Sequence, residues 1–247
     1  MKKLAILILF LGAVGIFVLP FETVTFESKD GVKVTSDIYM AHPNTAPFII
    51  LFHQARSSRG EYREIAPKLN ELGFNAMAID QRMGYGIAGV ENETAKRVEI
   101  KDDYPTYLDA LPDMEAAAAY AKKHLARGKI ILWGSSYSAS LVLKMAGDDP
   151  AMADGVLAFS PGEYFTWVST SLITENAKNI TVPVFITSGK NEKGRWNSIY
   201  EAIPSTKKVY FLPQAQGSHG SSALWESTTG NEEYWQAVKQ FLDQFLK

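Results

Sequence analysis

The chain has 247 residues, enough for one sizeable domain with a full core, and its 46% hydrophobic and 21% charged residues are the balance of a folded globular protein. A formal net charge of -2 leaves no basic footprint of the kind that binds phosphate backbones, so nucleic acid is not an expected partner. The absence of cysteine removes disulfides, thiolate metal sites, a cysteine nucleophile and lipid attachment through sulfur.

Lys2 and Lys3 precede an unbroken apolar run from Leu4 to Pro20. That pattern marks residues 1–21 as a signal peptide or an N-terminal membrane anchor. The run meets the lower length for spanning, about 17 residues, and no small-x-small cleavage site follows it, which favours an anchor. The leading lysines should stay in the cytoplasm, so residues 22–247 are expected on the periplasmic or extracellular face.

Val24 to Phe26 and Lys33 to Met40 read as two short strands joined through Asp30-Gly31, a hairpin turn signal. Pro47 to Phe52 is a continuous apolar run, expected of a strand covered on both faces, and Glu61 to Leu72 follows as an amphipathic helix ended by Gly73. Phe74 to Ile79 is the next buried strand. Tyr107 to Leu125 is Ala-rich and helical. Lys129 to Trp133 is a strand leading straight into a helix over Ser136 to Met145. Gly155 to Phe159, Val182 to Thr187 and Lys208 to Leu212 supply three more strands, and Glu233 to Leu246 closes the chain as an amphipathic helix. This alternation implies one α/β domain: a mostly parallel twisted sheet, helices on both faces, and an antiparallel N-terminal edge. Ligands of such sheets bind at the carboxyl ends of the strands.

At one such end the strand breaks at Gly134 and restarts as a helix in Gly134-Ser-Ser-Tyr-Ser138. A serine in a tight strand-to-helix turn is pushed out of the sheet, with a helix N-terminus behind it that favours developing negative charge. Ser136 is therefore the candidate nucleophile; the alternative is an ordinary N-cap serine. Its base must be a histidine oriented by a carboxylate. Of four histidines, His42 and His124 lie in a loop and a basic helix tail, and His53 ends a strand, where it reads as a scaffold residue shaping the loop by hydrogen bonding. His219, between Gly217 and Gly220 beyond the last strand, is the candidate base. The loop after Val182 to Thr187 holds one carboxylate, Glu192, which completes a Ser136, Glu192, His219 order. The tetrahedral intermediate needs backbone donors. The N–H of Tyr137 is one candidate, and that of Ala55 or Gln54, after Phe52, is the other. Gln54, Tyr85 and Tyr164 are expected to line a shallow substrate pocket, although the aromatics could equally be core packing.

With His53-Gln54-Ala55, Asp80-Gln81-Arg82, Gly134-Ser-Ser-Tyr-Ser138, Gly189-Lys-Asn-Glu192 and Gly217-Ser-His219, the sequence from about Glu22 onward resembles the α/β-hydrolase superfamily. Within it, the likeness is to the dienelactone-hydrolase-like and small serine esterase branches, which have little or no cap domain. The resemblance implies hydrolysis of a small-molecule ester or related acyl bond through an acyl-enzyme, without metal or cofactor. It also implies the triad roles given above. Three positions depart from the pattern: Gln54 where glycine is common, Ser138 for the second glycine of the turn, and Glu192 where aspartate is commoner. A peptidase or lipase of the same fold, or an exported binding protein that keeps the fold without turnover, are the competing readings.

Overall fold

The computed structural model describes residues 21–98 and 106–247. The apolar run ending at Pro20, expected to be a leader or anchor, lies outside the described residues. Among the described residues no helix is long and apolar enough to cross a membrane.

The opening strands form β1 (Glu22–Glu27) and β2 (Lys33–Tyr39), an antiparallel pair with Phe26 opposite Val34. Gly31 sits at φ +82 in the turn between them, a conformation other residues adopt only with strain. β2 pairs antiparallel with β4 (Asn75–Ile79), which pairs parallel with β3 (Phe48–Phe52). A small hairpin, β5 (Gly86–Ile87) and β6 (Val90–Glu91), stands apart from the main sheet. β7 (Ile130–Ser135), β8 (Gly155–Phe159), β9 (Val184–Thr187) and β10 (Lys208–Phe211) complete an eight-stranded sheet of order β1-β2-β4-β3-β7-β8-β9-β10, parallel from β4 onward.

Every residue of β3, β4, β7 and β8 is buried, which is why these strands read as unbroken apolar runs instead of alternating ones. One face is covered by α1 (Ile65–Glu71) and the C-terminal α6 (Asn231–Leu242), through Leu69, Trp235, Val238 and Phe241. Trp133 stacks on Phe159 at 4.7 Å, and Phe185 packs between Phe159 and Phe241, so aromatic rings from three adjacent strands and α6 form one row. The other face is covered by α2 (Leu111–Tyr120), α3 (Tyr137–Asp148), α4 (Leu172–Ala177) and α5 (Lys193–Ala202), through Met114, Leu141, Ile173 and Trp196. Between β8 and β9 the chain carries only the six-residue α4, so no cap domain is inserted there.

The segment expected as one helix from Glu61 to Leu72 is two pieces: a 3₁₀ turn over Arg59–Tyr62, then α1. The break follows from burial. Tyr62 turns inward and its hydroxyl donates to the Phe52 carbonyl at 2.7 Å, while Glu61 is wholly buried beneath the strand ends. Gly73 ends α1 at φ +97, as its position in the sequence predicts. Gly73→Ala should therefore destabilise the fold by about 1–2 kcal/mol, the cost of a left-handed conformation, with kcat unchanged. Urea denaturation of the two proteins measures it, and a midpoint unmoved at constant slope would contradict the argument.

Candidate active site

The carboxyl ends of β3, β7, β8, β9 and β10 converge, and five loops leave the sheet there. Register sets the first juxtaposition: Phe52 of β3 pairs with Gly134 of β7, so His53-Gln54-Ala55 leaves the sheet beside the turn that carries Ser136. A Cβ at Gly134 would lie 2.3 Å from the Ser138 carbonyl oxygen, so the turn admits only glycine at that point. Ser136 itself sits at φ +59, a strained conformation for a residue with a side chain. The strain is held by the Ser136 N–H donating to the Phe159 carbonyl at 2.7 Å and by the Ser136 carbonyl accepting the Ala139 N–H at 2.9 Å. Its hydroxyl is thereby lifted out of the sheet and held at the start of α3.

The structure brings the three candidate side chains into one hydrogen-bonded line. Ser136 Oγ lies 2.8 Å from His219 Nε2, and His219 Nδ1 lies 2.6 Å from Glu192 Oε1. These residues are separated by 83 and 27 positions along the chain. The His219 side chain is 39% exposed and that of Glu192 only 13%, so the acid is screened from water while the base can meet a substrate. Burial works against ionisation of Glu192, but hydrogen bonds from His219 and Ser160, and the charge of His219, hold its carboxyl below the usual carboxylate range.

Ser160, at the end of β8, had no role in the sequence reading and ties the acid loop to the base loop. Its hydroxyl donates to Glu192 Oε2 at 2.7 Å and accepts the Gly220 N–H at 2.9 Å. It also has positive φ, +58. The available signal was its position: a polar residue where a central strand ends, between the strands that deliver the nucleophile and the acid.

The departure at Ser138 has a structural reason. Its hydroxyl lies within bonding distance of the Ser135 carbonyl (2.9 Å), the Phe52 carbonyl (3.1 Å) and the His53 carbonyl, so it fastens the turn to the end of β3. A glycine there would make none of these contacts. His53 is fully buried: Nδ1 faces the Gln54 carbonyl at 2.7 Å, and Nε2 accepts the Gln81 N–H at 3.1 Å. Those partners fix the neutral tautomer with its proton on Nδ1, and burial pushes the imidazole's pKa down. His53 shapes the loop without facing the serine. His42 is likewise occupied, its Nε2 2.7 Å from the Asn70 carbonyl, and His124 packs at a tilt against Tyr120 at the exposed end of the α2 region.

Of the two alternative backbone donors in this loop, the Gln54 N–H is engaged, donating to Glu61 Oε2 at 2.8 Å. The Ala55 and Tyr137 N–H groups donate to no acceptor among the described residues. The Gln54 side chain reaches the base loop, where a Cβ on Gly220 would lie 2.9 Å from Gln54 Oε1. Tyr164 is half-buried beside Ser136; its hydroxyl donates to the Ser160 carbonyl at 2.9 Å, and burial raises its pKa. Phe165 next to it is core, whereas Trp167 is exposed, so the aromatic stretch divides between packing and rim. Tyr85 stands farther out, 73% exposed, on a cavity of about 430 Å³ that it lines with Arg56, Met83 and Tyr107. Tyr107 stacks on the Tyr137 ring at 4.7 Å, which links that cavity to the residue following Ser136. Among the described residues no cluster of His, Asp and Glu has the makings of a metal site.

Residues 43–171 match the family described as serine aminopeptidase, S33, a stretch that includes Ser136 and stops before Glu192 and His219. None of the curated proteins matches the chain. Among solved structures, the Pyrococcus furiosus esterase Pf2001 superposes with a TM-score of 0.71 at 17% identity, covering 93% of this chain and 94% of that one. An acetyl xylan esterase from Paenibacillus sp. R4 superposes with a TM-score of 0.71 at 15% identity, covering 95% and 87%. A dienelactone hydrolase from Anabaena variabilis does so with a TM-score of 0.69 at 16% identity, covering 92% and 99%. At these identities the likeness is one of fold.

Proposed function

The chain belongs to the serine aminopeptidase S33 family of α/β hydrolases, and on that footing we propose that it hydrolyses a carboxylic ester or related acyl bond through a Ser136 acyl-enzyme. The observation that carries the proposal is the unbroken line Ser136 Oγ, His219 Nε2, His219 Nδ1, Glu192 Oε1, with separations of 2.8 Å and 2.6 Å. In this reading His219 takes the proton of Ser136 as the oxygen attacks the acyl carbon, and Glu192 stabilises the imidazolium. The tetrahedral oxyanion is received by the Tyr137 and Ala55 N–H groups. His219 then protonates the leaving alcohol, water enters in its place, and the same base activates it to release the acid.

Ester is favoured over the amino-terminal peptide that the family's description suggests. An aminopeptidase must hold the substrate's α-ammonium, usually with a carboxylate. Of the carboxylates around the triad, Glu61 is buried, Glu192 serves His219 and Ser160, and Glu163 caps α4 through the Ile173 and Thr174 N–H groups, so none of these three is available for that role. The structural relatives named above as esterases point the same way. We further propose that the enzyme works outside the cytoplasmic membrane, on the strength of the run Leu4 to Pro20 behind two lysines.

A fluorophosphonate should modify the protein covalently, with the adduct mapped by peptide mass spectrometry to Ser136. In a series of p-nitrophenyl esters, kcat/KM should fall from butyrate to palmitate, because no cap element among the described residues covers a long acyl chain. An unlabelled protein inert to every ester in the series leaves the non-catalytic binding protein as the surviving reading.

A further inference from the structure

Glu61 is the one fully buried carboxylate of the site's loops that the mechanism does not use. Its two oxygens reach two of the loops that must be in register. Oε2 accepts the Gln54 N–H at 2.8 Å, one residue before Ala55, and Oε1 accepts the Ser135 hydroxyl at 2.7 Å, one residue before Ser136. Ser135 Oγ in turn accepts the Ser221 N–H at 2.8 Å, two residues after His219. One carboxylate therefore joins the oxyanion loop, the nucleophile turn and the base loop in a single hydrogen-bonded chain. It is held there from behind: its carbonyl accepts the Trp225 indole N–H at 2.8 Å, and Gly60 before it packs so closely on the Ile87 carbonyl that a Cβ would lie 2.3 Å away.

We propose that Glu61, in its ionised form, is a positioning residue for acyl transfer: it aims the Ala55 N–H at the oxyanion while keeping Ser136 and His219 in register. This deepens the esterase reading and rests on it. A carboxylate is required because its neighbours, the Gln54 N–H and the Ser135 and Ser57 hydroxyls, all donate. Protonated, or replaced by glutamine, the group offers one acceptor fewer, and either the Gln54 N–H or the Ser135 hydroxyl is left without a partner. Burial raises Glu61 to about 7, opposed by the hydrogen bonds from Gln54 and Ser135 and by the charge of His219. The titratable groups facing it are His219 on the base loop, Tyr137 at the start of α3 and Tyr62 on its own turn, and both tyrosines are neutral in the working range. Acidification through about pH 7 should therefore protonate Glu61 and loosen this alignment.

Glu61→Gln tests this. At pH 8 the variant should lose about 10- to 100-fold in kcat with KM within threefold, the pattern of an interaction made in the transition state. The deficit of the variant should shrink as the pH falls below about 7, where Glu61 of the wild type is itself protonated. Ser135→Ala, which cuts the link to the base loop while leaving the carboxylate in place, should lower kcat in the same direction, and it should lower the melting temperature as well because the buried Ser221 N–H loses its acceptor. A structural carboxylate would instead lower the melting temperature of Glu61→Gln and leave the ratio of wild-type to variant kcat independent of pH. Wild-type kcat in both variants, or a ratio of wild-type to Glu61→Gln kcat that does not change with pH, overturns the proposal. Failure of the esterase reading looks different, because then the wild type is itself neither labelled by fluorophosphonate nor active on esters.

Discussion

Replacing Ser136 by alanine is expected to lower kcat by about 10⁶-fold, the loss seen when the nucleophile of a triad is removed. That corresponds to about 8 kcal/mol of barrier. The fold should not register the change. The serine hydroxyl is bonded across the site to His219 Nε2, not to the sheet or to α3, so its removal leaves no backbone group without a partner. The methyl group left behind occupies the same left-handed position that the serine Cβ already holds at φ +59. Melting temperature within a degree or two of wild type, loss of fluorophosphonate labelling and loss of ester turnover should therefore appear together. A variant that kept a few per cent of wild-type turnover, with a label on another residue, would move the nucleophile elsewhere and end the present assignment.

The features that the sequence made legible are those with a local cause. Strands buried on both faces must be apolar throughout, so Pro47 to Phe52 and Gly155 to Phe159 stand out without a structure. A chain that turns sharply from strand to helix needs a glycine where its backbone crosses itself, and Gly134 marks the place. Glycines on either side of His219 mark a loop free to turn back over the sheet. The parts that stayed hidden have causes far along the chain. Glu61 sits among Arg59, Arg63 and Glu64 and reads as the solvated face of a helix. Its burial is decided by Ser135, 74 residues away, and by Trp225, 164 residues away. Ser160 is an unremarkable loop residue until the acid 32 positions later and the Gly220 N–H 60 positions later arrive at its hydroxyl. Ser138 could be read only as a missing glycine, since two of the carbonyls it binds lie at the end of β3 and just beyond it, 86 and 85 residues earlier. The choice between Gln54 and Ala55 as backbone donor was open for the same reason, because only the position of Glu61 shows which N–H is engaged.

Glu192→Gln should lower kcat by about 10³- to 10⁴-fold, and the cause is a tautomer more than a lost charge. The carboxylate accepts from three donors: His219 Nδ1 on Oε1, and the Ser160 hydroxyl and the Gly189 N–H on Oε2. Glutamine has one oxygen. If that oxygen stays with Ser160 and Gly189, the amide donates to His219 Nδ1, the imidazole proton moves to Nε2, and the base presents a hydrogen to Ser136 where a lone pair is needed. If the amide turns round, it presents donors to two donors and the loop between β9 and α5 must shift. Either way KM should change little, since substrate binding does not depend on the imidazole's tautomer. The same hydrogen bonds make the acid a pH-dependent contributor to stability. Because its folded pKa lies below the unfolded value near 4.5, its contribution is fully present above that value and is lost as pH falls through the depressed folded pKa. The wild type should therefore lose more stability than Glu192→Gln on acidification below about pH 4.5, and urea midpoints at pH 7 and pH 3.5 measure the difference. Parallel losses in the two proteins, together with wild-type turnover in the variant, would mean that the imidazole of His219 is oriented by something other than this carboxylate.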